Sequence, residues 1–557
     1  MKASRQHFND QNARQGSVLL LVLIVVMLLS FSLYSFSELM LVQYEATRSS
    51  LTHLQLRQLA ESGIVASSDL LSTRSDSERP NVANNPDRFR HVRVTTIDDS
   101  SAMYSVLSRL PDRDKKPVFG LSDESSRLNI NGLPLNSEDR AAARQRLTRL
   151  PRMTEHIADA ILDWMDSDDE PSDYGAESSW YASQHPPYRP RQGRFESLHE
   201  LLLVRGVTAE LLFGEDLNQN GLLDLNEDDG SNRSPSDNSD GRLQAGWSDF
   251  LTIHSAESTY APDGSRKLNV NTSELSKLYD DLEAKFDQET ARYVVALRMN
   301  GRAENSSPNQ ELDEEAKRQE RLSSARRRIA EQLGSGDDNK GGLSAMATSD
   351  SVSTQRRGGI LLSSKPVFRI ESLVDLVGGA VRVDVDGVDT LLPSPWAGDA
   401  GSVAAALREL LPYLTTTSRT RWRGRINFFE APYEVLMTVP EMTESFARAI
   451  VSVRPRRFAT SFATNETTSP AAETSAWLMA QGILDLQRLR SIAPYVTPRG
   501  DVFRGFAVGH IDGVRGRSGI RFLIDATYEE PRIISLQDLP PMPLRIGRDD
   551  SPEFRTR

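Results

Sequence analysis

The stretch from Gln15 to Ser37, bounded by Arg14 and Glu38, contains no charged residue, and Val18 to Leu29 within it is an unbroken apolar run. About 20 such residues are enough to cross the hydrocarbon of a bilayer as a helix. Ahead of it, Lys2, Arg5 and Arg14 outnumber Asp10. By the positive-inside rule that excess keeps the first residues cytoplasmic and sends everything after Glu38 outward. A removable secretory signal has a shorter apolar region and a small-residue cleavage site. Here the run passes directly into Leu39-Met40-Leu41-Val42, so the apolar segment is expected to stay attached. No proline occurs before Pro80, and the pattern from Val18 to about Leu71 reads as one helix. At 1.5 Å per residue that is ~80 Å long. Its lower half carries Leu51, Leu54, Leu56, Leu59, Ala60, Ile64 and Leu70, an apolar stripe by which it could be buried against a following domain.

Beyond the helix the chain is long enough for several domains, at ~150 residues each. It holds 66 Lys and Arg against 78 Asp and Glu, a formal charge of −12, a poor balance for binding a phosphate backbone. It has no cysteine, which removes disulfides, thiolate nucleophiles and Cys-ligated metals.

Internal similarity organises the remainder. Ser126-Arg127-Leu128-Asn129-Ile130-Asn131, Ser265-Arg266-Lys267-Leu268-Asn269-Val270-Asn271 and Arg423-Gly424-Arg425-Ile426-Asn427 each set a basic residue before an apolar-Asn step. Leu150 to Ile161 and Val439 to Ile450 then share Pro, Met, Thr, Glu, two Ala and Ile at matching positions. Thr154 and Thr443 are placed as N-caps of helices whose apolar residues follow at helical spacing. Each copy reads as a strand-like edge leading into a helix pair, with the middle copy, Asn271 to Leu297, the faintest. Phe195-Glu196-Ser197-Leu198-His199-Glu200-Leu201 and Phe368-Arg369-Ile370-Glu371-Ser372-Leu373-Val374-Asp375-Leu376 form a second related pair, both read as amphipathic helices. Such modules resemble helix-hairpin-helix units. Those that bind DNA present a Gly-apolar-Gly hairpin to a phosphate, whereas here the hairpins are Pro151-Arg152-Met153 and Pro440-Glu441-Met442. No nucleic-acid partner is expected. After Asp501, two β-rich runs, Val502 to Gly509 and Ile520 to Tyr528, read as a hairpin paired with strands near Val92–Val94 and Met103–Leu107.

Two acidic segments carry the chemistry. Asp216 to Glu227 fits the twelve-residue calcium loop, with oxygen side chains at Asp216, Asn218, Asn220, Asp224 and Glu227, the Leu222 carbonyl, and Gly221 at the sharp turn. The other is Asp163-Trp164-Met165-Asp166-Ser167-Asp168-Asp169-Glu170, followed by Gly175-Ala176-Glu177. By chemistry alone it is either a solvated charge run or a helix end, with Asp163 and Asp166 on one helix face. No His-Glu-x-x-His, Gly-x-Ser-x-Gly or phosphate-binding Gly-rich loop is present. An enzyme is not expected.

The leader ending in Arg14-Gln15-Gly16, then Ser17 and an apolar helix, resembles the class III signal of type IV pilins and type II secretion pseudopilins. That resemblance implies cleavage between Gly16 and Ser17 by a prepilin peptidase. The usual fifth mature residue is Glu, but here it is Leu21, a departure that resembles the GspK family of minor pseudopilins. Leu59-Ala60-Glu61-Ser62-Gly63, Asp123 to Asn131, the Asp-Trp-x-Asp-x-Asp and Gly-Ala-Glu segments, and Phe195 to Thr208 resemble that family as well. It implies calcium at the second acidic segment, held by Asp163, Asp166, Asp168 and Glu177, a place at the pseudopilus tip, other minor pseudopilins and the major pseudopilin as partners, and an inner-membrane anchor with a periplasmic globular part. The alternatives are a single-span envelope-anchored binding or scaffold protein, and a minor pilin of a type IV pilus-like machine.

The expected fold is α+β. It comprises a leader (1–16), a transmembrane and stalk helix (17–72), a pilin-like segment (73–125), a helical module with the calcium loop (126–260), a second module (261–300), a partly charged linker (301–364), a third module region (365–500) and a β-rich end (501–557). A small antiparallel sheet of the pilin kind carries duplicated helical, SAM-like modules inserted into it.

Overall fold

The computed structural model describes residues 11–72, 82–97, 100–109, 117–136, 139–216, 243–303, 356–362, 365–454, 474–514 and 516–539, with residues 219, 223, 227, 228, 230 and 239–241. Helix α1, Gln11–Leu71, is continuous, as the absence of proline and of interior breaks dictates. Val18 to Leu51 stand clear of the rest of the protein. Burial starts at Leu56 and continues through Leu59, Ala60, Ile64 and Leu71, while Leu51 and Leu54 remain more than half exposed. The apolar stripe therefore does its packing only where a sheet lies under it, and its two upper leucines do not take part.

That sheet is antiparallel in the order β1 (Val92–Ile97), β2 (Ser100–Arg109), β3 (Val502–Ile511), β4 (Ser518–Asp525) and β5 (Arg532–Asp538). Strand β3 pairs with β2 in the register Phe506↔Leu107 to Ile511↔Ala102. The terminal hairpin thus meets Met103–Leu107 as expected, but Val92–Val94 pair with β2 and never reach the hairpin. The third terminal strand, β5, was not legible because its outward residues Ile533, Ile534 and Leu536 break apolar-polar alternation. Ala60 and Ile64 from α1 close the core over Leu107, Ala507, Phe522 and Ile524. Each fully buried aliphatic side chain here is worth ~1.5–3 kcal/mol. Gly509 lets α1 approach, since a Cβ there would collide with the Leu56 carbonyl oxygen.

Between β2 and β3 the chain leaves the sheet and forms three copies of one unit. The helix pairs are α2 (Arg140–Thr148) with α3 (Glu155–Met165), α4 (Leu275–Lys285) with α5 (Gln288–Asn300), and α6 (Tyr433–Leu436) with α7 (Glu444–Val453). Thr154, Asp287 and Thr443 cap the second helix of each pair through the backbone N–H three residues on. Each unit is closed by a short parallel pairing: Leu128–Asn129 with Leu251–Thr252, Leu268–Asn269 with Leu414–Thr415, and Ile426–Asn427 with Val496–Thr497. The Asn side chains of Asn129, Asn269 and Asn427 each accept the N–H two residues ahead at 2.9–3.0 Å. The Thr hydroxyls of Thr252, Thr415 and Thr497 do the same at 3.1–3.4 Å.

The middle copy is complete, contrary to its faint sequence signal. Its return segment lies beyond the 301–364 stretch, so the second unit spans the expected boundary between 261–300 and 365–500. Asn271 shows this directly: its side chain donates to the Ile370 carbonyl and accepts from the Ile370 N–H, as Asn131 does with Phe195. The segments after Phe195 and Ile370 are short 3₁₀ helices, Leu198–Leu203 and Leu373–Leu376, rather than α-helices. Ser197 and Ser372 cap the first turn, and the chain becomes extended again at Val204 and Val377. Residues 304–355 of the partly charged linker lie outside the described residues.

The units are joined to the sheet through buried charge. Glu124 accepts from Thr252 at 2.5 Å and pairs with Arg127 at 3.0 Å and Arg504 of β3 at 2.7 Å. Asp123 accepts from Ser125 N–H, Gly500 N–H and Asn427 of the third unit at 2.6–2.8 Å.

The two glycine-free hairpins turn at Arg152 and Glu441, with φ of 61° and 60°. A side chain in that left-handed region costs ~1–2 kcal/mol. Glu441→Gly is expected to raise the unfolding free energy by ~0.5–1 kcal/mol, measured by chemical denaturation; a loss of stability would show that the hairpin is not strained.

Candidate metal centre

The helix α3 presents Asp163 one turn before its end and stops at Asp166, whose backbone is already extended. The chain then loops and returns at Gly175-Ala176-Glu177, placing a ligand oxygen of each of Asp163, Asp166 and Glu177 within 4.8 Å of the others. All three residues are buried. Asp163 is already engaged: Ser172 donates to it from its hydroxyl at 2.7 Å and from its N–H at 3.1 Å, and Arg140 of α2 binds it through Nη2. Arg140 Nη1 reaches Asp166 Oδ2 at 2.5 Å. Gly175 has no side chain because Asp163 fills the space where a Cβ would stand, and Arg205 holds the Gly175 carbonyl at 3.1 Å.

The remaining oxygens have no such partners. Both Glu177 oxygens and Asp166 Oδ1 are buried without a hydrogen bond. A buried acceptor left so costs ~1–3 kcal/mol, more when charged. Burial first, then Asp166 and Asp163, pushes the Glu177 carboxyl up to about 8. Burial also raises Asp163 and Asp166, against the opposing pull of Ser172 and Arg140 on the first and of Arg140 on the second. Three carboxylates against one guanidinium leave two negative charges uncompensated if all ionise. An oxygen-only donor set with that charge suits a hard divalent cation such as calcium, with carbonyls or water completing the shell.

Asp168 does not join the group. It is exposed, and its side chain accepts the Glu170 N–H at 3.0 Å. Trp164, on the other face of α3, donates to Glu200 at 3.0 Å and stacks on Phe195, which fixes the helix end that carries the carboxylates.

Of the twelve-residue loop, Asp216 and Glu227 are described, Glu227 being buried; Asn218, Asn220, Leu222 and Asp224 lie outside the described residues. The base of the loop is tied off. Gly214 bridges Ala245, the Glu215 N–H donates to the Gln244 carbonyl at 3.2 Å, and the Gln244 N–H donates to the Glu215 side chain at 2.8 Å. Gln219 from within it touches His199 at 2.8 Å and accepts from Arg521 of β4 at 2.9 Å. Gly16 and Ser17 lie within the helical backbone of α1. Among the described residues, the helix Val18–Ser72 is long and apolar enough to cross a membrane, and its most apolar window is wholly exposed.

Residues 126–213 match the family model described as type II secretion system (T2SS), protein K. The type II secretion system protein K of Klebsiella pneumoniae is 26% identical over 213 residues, 36% of this chain and 60% of that protein. The protein of the same name from Pectobacterium carotovorum subsp. carotovorum is 40% identical over 57 residues, 10% of this chain and 17% of its own length. This chain thus spans less than two thirds of either relative. A chain of the GspK-GspI-GspJ complex from the enterotoxigenic Escherichia coli type 2 secretion system aligns with 88% of this chain and 98% of its own at 9% identity. Its TM-score of 0.32 is too low to assign a shared fold. The matched segment is the first of the three units, the one that holds the Asn131 clamp and the Asp163–Asp166–Glu177 cluster, and over that unit the chain is similar to type II secretion system protein K.

Proposed function

We propose that the protein is a minor pseudopilin of a type II secretion system that caps the tip of a periplasmic pseudopilus and so supports export across the outer membrane. The observation that carries this is the division of α1: an exposed apolar half, then a half buried on an antiparallel sheet whose β2 and β3 are separated by three bulky units. A helix of that kind can join a bundle of similar helices from other subunits, while the inserted units leave no room for another subunit above. Its role is structural rather than catalytic. The membrane half anchors the chain in the inner membrane with the units on the periplasmic side, and prepilin peptidase removes residues 1–16.

Calcium is the ligand we assign to Asp163, Asp166 and Glu177, with Asp216, Asn218, Asn220, Leu222, Asp224 and Glu227 as a second site. In the first site the ion ties the end of α3 to the Gly175–Glu177 return and neutralises charge that folding would otherwise have to bury.

Co-expression with the other minor pseudopilins and the major pseudopilin of the same machine tests the assembly. A complex that survives purification through the periplasmic parts is expected. A protein that elutes alone would favour an envelope-anchored binding protein instead.

A further inference from the structure

Counted from the caps Thr154, Asp287 and Thr443, Met165, Arg298 and Arg454 stand at the same position, within two residues of the end of the second helix of each unit. The two arginines behave alike. Arg298 is buried and folds back to the start of its own unit, donating to the carbonyls of Asn271 at 3.2 Å and Thr272 at 3.3 Å; it also donates to Phe368, where the chain returns from its long loop. Arg454 donates to the Ala431 carbonyl, at the corresponding turn of the third unit, at 2.7 Å. In the first unit this position is the apolar Met165, buried in the core, and the nearby cation-seeking groups are Asp163 and Asp166. The second unit has Ala296 and Met299 in their places, and the third has Ser452 in place of Asp163.

We propose that the end of each unit's second helix is fixed by a cation, supplied by the guanidinium of Arg298 or Arg454 in the second and third units and by a bound divalent ion in the first, where Arg140 balances only one of three carboxylates. Calcium sensitivity is then confined to the first unit, residues 126–255, and the additional units are fixed whatever the calcium level. This rests on the calcium reading of Asp163, Asp166 and Glu177. The physical reason is that a helix end, rich in unpaired carbonyls and carrying the negative pole of the helix, is stabilised by positive charge. A guanidinium with its fan of donors can bind several carbonyls at once, and no metal is required where it does so. Where the position is methionine, an external cation held by carboxylates takes over.

Hydrogen–deuterium exchange on the full chain in detergent, with calcium chloride or with a chelator, tests this. At free calcium ~100 times the dissociation constant, exchange through opening of the bound unit slows by ~100-fold. That slowing is expected in peptides covering 155–165 and 172–181 and absent from 288–300 and 444–453. Equal slowing in all three units would overturn the inference while leaving calcium binding intact. No slowing anywhere would overturn the calcium reading and the inference with it. Arg298→Met is the complementary variant: peptides 288–300 and 368–376 should lose protection to the same extent in both buffers, with the first unit unchanged. If that variant gains a calcium response or keeps full protection, Arg298 is not the fixing cation.

Discussion

Replacing Asp163 with Asn and Glu177 with Gln is expected to cut the rise in melting temperature that calcium gives the parent protein to the part contributed by the 216–227 loop. An ion held by the folded cluster, which the unfolded chain lacks, would contribute by mass action, ~2.7 kcal/mol at 100 times the dissociation constant. The effect has a pH signature. The Glu177 carboxyl is raised from 4.5 to about 8 without metal, by burial and then by its acidic neighbours. A raised acid favours the folded state fully below its unfolded pKa and loses that advantage as pH climbs through the folded value. Without calcium, stability should therefore fall between about pH 5 and 8. The gain from calcium should widen over the same interval. Thermal melts in calcium and in chelator across that range measure both trends, and the double variant should flatten them. A parent protein whose calcium shift is independent of pH would place the ion elsewhere.

The second large effect is expected at Glu124. Burial alone would raise this carboxyl, but Arg504, Arg127 and the Thr252 hydroxyl outweigh it and hold it at about 2. Glu124→Ala strands two guanidiniums in the buried joint between the first unit and β3, and breaking a buried pair of this kind costs ~3–5 kcal/mol. A depressed carboxylate adds stability above its unfolded pKa and loses it as pH falls through the folded value. The parent should resist acid down to about pH 2–4 at this joint, and the variant should begin to melt earlier. Denaturation curves at neutral pH and at pH 4 check this; a loss under 1 kcal/mol would mean that the joint is held by other contacts.

The joint was not visible in the sequence, because Glu124 and Arg504 are separated by most of the chain and nothing local marks them as partners. The long helix was, since an uncharged run followed by helical spacing needs no tertiary information. Its junction with the sheet was read too generously at Leu51 and Leu54, as periodicity records which side is apolar but not where the partner ends. The Asn steps at Asn129, Asn269 and Asn427 announced three units. Their closing halves went unread, although Phe250-Leu251-Thr252, Tyr413-Leu414-Thr415 and Tyr495-Val496-Thr497 repeat an aromatic-aliphatic-Thr signal. Two-residue pairings are too short for alternation to register. At the metal cluster, spacing placed Asp163 and Asp166 on one helix face, but only the fold brings back Glu177 and turns Asp168 out to solvent. Arg140, which bridges the two aspartates from another helix, had no local signal at all.

The central claim, that the chain is a pseudopilin rather than a permanently anchored envelope protein, is tested most directly by the mass of the intact protein from membranes with and without a prepilin peptidase. With the peptidase, loss of residues 1–16 and a new amino terminus at Ser17 is expected, and without it the leader should remain. A protein that retains Met1 to Gly16 in both membranes would contradict the account.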